Sequence, residues 1–290
     1  MPTVKDLRER IRSLKNTQQI TKAMKQVAAA KIRRAEMAQK QARPYAQTLS
    51  EMLRDLMAAV TSVDHPFMKP GNASAPVGVI LMTADKGLAG AFNSNVVRAG
   101  EIFARERKNV EWYTVGLKAR NAVRRLGHPN HPTWPLNAPS KLEAARQVAA
   151  QVTQDFTDGK ISEIVLISSK LISMMSQKPA TQKLVPILRQ AQDDTEVTAS
   201  SSKGAVEFTP SPEFVLSRLL PKYLEFTIFS AMLETDAAFF AAQLVAMNNA
   251  TENAGKLVDE LTIQMNNARQ AAITKELLEI VGGAEALVNK

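Results

Sequence analysis

The sequence predicts an α/β protein: a long antiparallel coiled coil of N- and C-terminal helices plus an α/β middle domain. Three observations predict it. Apolar residues repeat at heptad spacing near both ends of the 290-residue chain, and apolar strand-like and helical stretches alternate between them. Helix breakers also concentrate in the middle, since only Pro2 and Pro44 of the fourteen prolines fall outside Pro66 to Pro221. Of the twelve glycines, only Gly255, Gly282 and Gly283 lie outside Gly71 to Gly204. The expected boundaries are 1–62, 63–211 and 212–290.

The first helix opens at Thr3, a suitable N-cap, with Asp6 three positions on in a shortened capping box. Val4, Leu7, Ile11 and Leu14 then take heptad positions. After a slip, Ile20, Met24 and Val27 are expected to resume the seam, small alanines to continue it, and Tyr45, Leu49, Met52, Leu56 and Val60 to close it. At 1.5 Å per residue the rod spans roughly 80 Å. Pro44 removes one hydrogen bond and crowds the preceding turn, so a kink is expected there and not an end.

The C-terminal repeat is more regular. From Leu233 through Ala237, Phe240, Leu244, Met247, Thr251, Ala254, Val258, Leu261, Met265 and Ala268 to Ala272 the steps alternate 4 and 3. Ile273, Leu277, Ile280, Ala284 and Leu287 then shift the stripe, leaving an apolar, weakly charged end. The longer C-terminal helix is expected to protrude beyond its partner, and an apolar end of that kind fits inside another protein.

In the middle, Val77 to Thr83 is a short apolar run, followed by a helical stretch from Ser94 to Lys108. The pattern recurs at Val110 to Val115 with Leu117 to Leu126, and at Ser140 to Phe156 with Ile161 to Ser168, implying parallel strands under covering helices. Ile161 to Ser173 and Thr181 to Leu188 are expected as two strands joined near Gln177-Lys-Pro179, with Ala205 to Phe208 a possible edge. Residues 190–204 form a polar loop with no core to bury.

The composition narrows the chemistry. With no cysteine, disulfides, thiolate metal sites and cysteine nucleophiles are excluded together. His65, His128 and His131 are too few and too separated by proline to supply a zinc set. The loop Ala84-Asp-Lys-Gly-Leu-Ala-Gly-Ala-Phe-Asn-Ser94 follows a strand and precedes a helix, yet it carries neither phosphate-binding glycine fingerprint. No nucleophile elbow or paired-carboxylate grouping is apparent, so a catalytic role has little support and no cofactor is expected.

No stretch approaches the roughly 18 uninterrupted apolar residues of a membrane-spanning helix. Residues 1–20 lack the apolar block of a secretory signal, so a cytoplasmic location is expected.

The net charge of +9 is strongly localised. Residues 1–40 hold eleven basic residues against Asp6, Glu9 and Glu36, which leaves +8 there and +1 for the remainder. Clustered cations gain affinity for phosphate by releasing counterions, so nucleic-acid binding is one reading. Basic residues that alternate with the seam also suit a solvated flank or an acidic protein partner. Arg269 lies beside Ala268 in the small-residue stretch Met-Asn-Asn-Ala-Arg-Gln-Ala-Ala-Ile-Thr. There a guanidinium fork could meet carboxylate or carbonyl groups on a closely approaching backbone; the alternative is an ordinary solvated arginine.

Both ends resemble one family. Residues 11–31, Ile-Arg-Ser-Leu-Lys-Asn-Thr-Gln-Gln-Ile-Thr-Lys-Ala-Met-Lys-Gln-Val-Ala-Ala-Ala-Lys, with Ala42-Arg-Pro-Tyr-Ala46, resemble the N-terminal signature of the gamma subunits of F-type ATP synthases. Met247-Asn-Asn-Ala-Thr-Glu-Asn-Ala254, Asn267-Ala-Arg-Gln-Ala-Ala-Ile-Thr-Lys-Glu-Leu277 and Glu279-Ile-Val-Gly-Gly-Ala284 resemble the C-terminal one.

The resemblance implies a central rotor shaft inside a ring of three alpha and three beta subunits, with a Rossmann-like middle domain near the membrane. A membrane c-ring driven by ions would turn it, and catalysis would belong to the beta subunits. It further implies that Arg269 and Gln270 meet a beta-subunit loop, with Thr274 and Glu276 nearby, and that Met24 and Lys25 face the lever transmitting torque. Asp85 and Lys86 would form a contacting lip; the end from Val281 to Lys290, including Ala284, Leu287 and Val288, would turn in an apolar sleeve. Arg43 to Tyr45 and the middle domain would form a foot touching epsilon and the c-ring. Asp85-Lys-Gly-Leu-Ala-Gly-Ala91 departs from the family's usual D-R-G-L-C-G-G: lysine keeps the charge without the bidentate fork. The cysteine-bearing insert of chloroplast members and a transit peptide are both missing, so the resemblance implies a bacterial enzyme on the cytoplasmic face of the inner membrane. It implies no nucleic-acid partner and membrane association only through the complex.

Overall fold

A computed structural model describes residues 3–59, 65–107, 109–128, 133–187 and 211–288. The elements run α1 (Val4–Ala59), β1 (Val77–Met82), α2 (Phe92–Arg107), β2 (Val110–Val115), α3 (Leu117–Arg125), β3 (Thr133–Trp134), α4 (Lys141–Thr157), β4 (Ile164–Ser173), β5 (Ser176–Val185) and α5 (Pro212–Val288). The chain divides into two compact units: Met1–Ala28 with Leu244–Lys290, and Ala29–Gln243.

The sheet belongs to the second unit and has the order β3-β2-β1-β4-β5. β1 pairs in parallel with both β2 and β4, β2 pairs in parallel with β3, and β4 pairs antiparallel with β5. Every residue of β1 is buried, as a central parallel strand covered on both faces requires. Its side chains alternate between the two faces. Val77, Val79 and Leu81 join Val96 of α2 and Ala119 and Val123 of α3 in one cluster. Ile80 and Met82 turn to the other cluster, with Ala145 and Val148 of α4 and Met232 and Phe239 of α5.

Within this unit α5 departs from the expected coiled-coil seam. From Ala237 to Ala242 every residue is buried, because the helix lies in the core and has no exposed side there. Phe239 packs against Phe92 with ring centroids 5.7 Å apart, and Lys31 of α1 lies over the Phe240 ring at 5.2 Å. Buried Asp236 pairs with Lys141 at 3.1 Å. By length and composition the stretch Phe214–Gly282 could cross a membrane, but 67% of its most apolar window is buried within the protein.

The hairpin also differs from expectation. Ser173 pairs with Ser176, so the chain reverses at Met174-Met175 and not near Gln177-Lys-Pro179. The Ser176 N–H donates to Ser173 Oγ at 3.1 Å, and Gln177 Nε2 donates to the Met174 carbonyl at 2.9 Å. These side-chain bonds fasten the tight turn, while Pro179 sits opposite Ser169 in β5, the last strand of the sheet, where a proline is tolerated. Strand β3, which sequence reasoning did not find, is only two residues long. The anticipated edge at Ala205 to Phe208 and the loop 190–204 lie outside the described residues.

In the first unit α1 and α5 pair antiparallel. Thr21 contacts Thr251 and Lys25 contacts Asn248, so rising numbers on one helix meet falling numbers on the other. The capping box forms as expected: Thr3 N–H donates to Asp6 Oδ2 at 3.0 Å and Asp6 N–H to Thr3 Oγ1 at 3.2 Å. Hydrogen bonding of the carboxyl to the Thr3 backbone N–H, and next to the Thr3 side chain, lowers the Asp6 carboxyl below its usual range.

Leu7 and Ile11 are buried, but the expected slip does not occur. Half-buried Gln18 and buried Thr21 continue the seam, leaving Ile20 60% and Val27 54% exposed. Tyr45 and Met52 likewise face outward, while Leu49, Leu53 and Leu56 are buried in the other unit. α1 runs unbroken through Pro44.

Candidate interaction surfaces

The helical unit presents a bare length of α5. Burial along the seam fades from Val258, which is buried, through half-buried Leu261, Met265 and Ala268, to residues 269–282, all of which are exposed. Arg269, Gln270, Thr274 and Glu276 all fall in this bare length. Arg269, Ile273 and Glu276 follow helical spacing along one face, and Gln270, Thr274, Leu277 and Val281 along the adjoining one. Thr274 Oγ1 donates back to the Gln270 carbonyl at 3.0 Å. Ile273, Leu277, Leu278, Ile280 and Val281 are between 50% and 68% exposed, an apolar surface left uncovered among the described residues of the unit. Side chains from residue 283 onward, including Ala284, Leu287 and Val288, lie outside the described residues.

Met24 is half-buried and Lys25 exposed. The Lys25 ammonium donates to Asn248 Oδ1 at 2.6 Å, and Asn248 Nδ2 donates to Glu252 Oε1 at 2.7 Å. Lys25 therefore already ties α1 to the Met247-Asn-Asn stretch of α5. All eleven basic residues between Lys5 and Lys40 are exposed, off the seam.

In the second unit Asp85 and Lys86 have different surroundings. Asp85 Oδ1 accepts N–H bonds from Leu117 at 3.1 Å and Leu136 at 3.3 Å, and Oδ2 accepts one from Asn137 at 2.9 Å. The carboxylate thus joins the β1–α2 loop to the start of α3 and to the segment after β3. Asn93 braces the same loop, accepting from Ala84 N–H at 3.0 Å and donating to the Lys86 carbonyl at 3.1 Å. Lys86 is exposed, and Leu88 is held at φ 62° while 63% exposed. A left-handed conformation is uncommon for leucine and marks a constrained loop.

Elsewhere in this unit Arg43 is exposed, and Tyr45 packs its ring 4.6 Å from that of Phe226. A cavity of about 200 Å³ opens beside them, lined by Leu49, Ser168, Lys170, Tyr223, Phe226 and Glu234, among others. Burial raises the Glu234 carboxyl above its ordinary range, opposed by the Leu171 backbone bond and by Lys170 and Arg43. Burial also pushes Glu225 up, but the hydrogen bonds and charges of Lys222 and Arg146 outweigh it and hold that carboxyl low. Sequence reasoning missed Glu234: an acid at an otherwise apolar stretch was its one visible signal.

His65 caps a short 3-10 turn, its Nδ1 accepting from Phe67 N–H at 3.1 Å, and burial lowers its pKa. His128 packs edge-on against Trp112, with centroids 5.9 Å apart. His131 lies outside the described residues.

Comparison with known proteins accounts for a chain that carries both a bare helical unit and a mixed sheet. The sequence model of the ATP synthase family matches residues 3–287. The ATP synthase gamma chain of Heliobacterium modesticaldum is 41% identical over 291 residues, covering 99% of this chain and all of the relative. That of Phenylobacterium zucineum is 41% identical over 298 residues, with the same coverage. Among solved structures, the rotor of Euglena gracilis mitochondrial ATP synthase shares the fold with a TM-score of 0.65 at 20% identity, over 93% of this chain and 98% of that one. The central stalk and c-ring structure of the Tetrahymena thermophila mitochondrial enzyme contains a chain matching at TM-score 0.59 and 24% identity, over 80% of this chain and 99% of that one. Matched from end to end in sequence as well as in fold, the chain belongs to the ATP synthase gamma-chain family.

Proposed function

We propose that this chain is the central rotor shaft of an F-type ATP synthase, coupling ion flow through the membrane c-ring to ATP synthesis or hydrolysis at the beta subunits and helping to regulate both. Family membership supports the assignment. The structural observation that carries it is α5 beyond Ala268, where residues 269–282 are exposed and heavily apolar. A helix of that character is suited to turning inside a collar of other subunits.

In this reading three alpha and three beta subunits surround the shaft, and epsilon and the c-ring meet its foot. Arg269 and Gln270 meet a beta-subunit loop with Thr274 and Glu276 alongside, Met24 and Lys25 face the beta-subunit lever, and Lys86 projects from a lip that Asp85 braces. Val281, Ala284, Leu287 and Val288 turn in the apolar bearing, and Arg43 and Tyr45 contribute to the foot. The boundaries 1–62, 63–211 and 212–290 separate helix, foot domain and helix. The chain itself is non-catalytic, and the complex sits on the cytoplasmic face of a bacterial inner membrane.

The test is ATPase turnover of co-expressed alpha and beta subunits from the same source, purified with and without this chain. A complex with one copy per hexamer, whose turnover depends on the chain and changes with Arg269→Ala, is the expected result. A chain that purifies alone, leaves turnover unchanged and binds DNA with a steep salt dependence would overturn the proposal.

A further inference from the structure

β1 pairs with β4 only from Ile164 to Ile167, so from Ser168 onward the β4–β5 hairpin extends beyond its neighbour in the sheet. α1 and α5 cover that extension with small side chains, Ala46 and Ser50 from one helix and Thr227, Ser230 and Ala231 from the other. The space they leave is the cavity of about 200 Å³ beside Tyr223 and Phe226. Pockets for drug-sized ligands begin at roughly 300 Å³, so this one suits a smaller molecule. Every lining residue belongs to the second unit.

The floor of the cavity is polar, made by Ser168 and Lys170 of β4 and Gln182 of β5. Ser168 is only 7% exposed, yet its hydroxyl has no hydrogen-bond partner among the described residues, and neither do the hydroxyls of Ser50 and Ser230. Such groups around a roomy space are placed to meet a polar guest. Lys170 makes no ion pair among the described residues, although its charge and that of Arg43 both act on Glu234 in the wall. Burial outweighs those charges and the Leu171 backbone bond, so Glu234 keeps its proton to higher pH than an ordinary glutamate. In that form it offers the cavity a further donor.

We infer that this cavity is a binding site for a short-chain monocarboxylate, whose carboxylate meets Lys170 and the Ser168 and Ser230 hydroxyls while its chain lies against Leu49, Ala231 and Phe226. The inference goes beyond the rotor reading and does not rest on it. Charge selects the class of ligand: Lys170 and Arg43 oppose an amine, whereas a carboxylate gains a charge-assisted bond from Lys170. A phosphate dianion would bring two charges to one lining lysine and leave the apolar wall unused. Glu234 sets the pH dependence, since its protonated form donates to the guest and its ionised form repels it. The charged groups acting on Glu234 are Lys170 from β4 and Arg43 from α1, and Tyr223 of its own helix borders the same space.

Equilibrium dialysis of radiolabelled hexanoate against the full-length chain is the test, with hexylamine and inorganic phosphate as competing probes. One hexanoate per chain should bind saturably with a Kd on the order of 1 mM or below, and neither probe should displace it. Lys170→Gln should weaken binding by about threefold or more, and Ser230→Leu, which fills the space, should abolish it. Binding to the parent should weaken as pH rises from about 5 to about 8, but Glu234→Gln, whose amide donates at every pH, should bind evenly across that range.

The inference is overturned if the parent shows no saturable uptake up to about 10 mM, if hexylamine or phosphate binds as tightly, or if Lys170→Gln leaves the affinity unchanged. Should Ser230→Leu fold poorly, Lys170→Gln and the Glu234→Gln pH profile decide the matter. Assembly and turnover of the complex test the rotor reading separately, so either idea can fail without the other.

Discussion

The hydroxyls of Thr21 and Thr251 lie 2.8 Å apart across the helical unit, a polar contact within its seam. Each hydroxyl also lies within reach of its own helix, Thr21 at 3.1 Å from the Gln18 carbonyl and Thr251 at 2.7 Å from that of Met247. The contact fixes which residue of α1 faces which residue of α5, as polar seam residues do elsewhere by specifying register.

Thr21→Ala is therefore expected to destabilise the unit by about 1 kcal/mol. Replacing both threonines with valine keeps the shape and removes both polar groups together, so the double variant should stay within about 1 kcal/mol of the parent. Chemical denaturation of the three proteins checks the pattern.

Asp85→Ala strands three backbone amides whose acceptor is a carboxylate, with an expected cost of about 2–3 kcal/mol. Asp85→Asn retains an acceptor oxygen and should lose less. Amide hydrogen exchange is the sharper measurement, because protection should fall first at Leu117, Leu136 and Asn137.

Gly116 connects β2 to α3 at φ 92°, and a Cβ there would run into the Thr83 carbonyl. Gly127, at φ 80°, faces open space. Gly116→Ala should cost more than the roughly 1–3 kcal/mol of a strained backbone, and Gly127→Ala no more than that range. A melting comparison of the two variants separates steric from torsional cost.

Two carboxyls, buried Asp155 and half-buried Glu234, should respond to pH in opposite directions. Burial pushes Asp155 up, but hydrogen bonds from Gln151, Lys160 and Tyr113 outweigh it, so its folded pKa lies below the ordinary 3.8. The stability it supplies is present above that value and is lost as pH falls through the lowered one, so Asp155→Asn should be most costly near neutrality and least below it. Glu234 is raised above 4.5 by burial, so its folded form retains a proton longer and stability declines as pH climbs through that window. Glu234→Gln should match the parent at pH 4 and gain on it near pH 8; thermal midpoints across pH test both.

The elements were legible where one physical signal dominated. β2 at Val110–Val115 is bounded by a break on each side, and the Thr3 and Asp6 capping box is local in sequence. The seam was misread at Ile20 and Val27 because apolar residues also satisfied the spacing nearby, while Gln18 and Thr21 entered the interface through side-chain bonds that hydropathy does not register. Likewise, the heptad in α5 continued through residues 237–242, although there the helix is buried all round. The exposed end of α5 was readable from its apolar stripe. Asp85 was recognisable as a loop residue, but not as an acceptor for amides 32 to 52 positions away, since no local pattern encodes that distance.

The bare, apolar length from Arg269 to Gly282 has a consequence for the life of a newly made chain. Until other subunits close around it, this segment displays the kind of surface that chaperones hold and proteases clear. A copy made in excess of its partners would then be short-lived, and one already enclosed would be protected. The same side chains would thus help match the supply of this subunit to that of its neighbours, with incorporation itself as the signal that spares it.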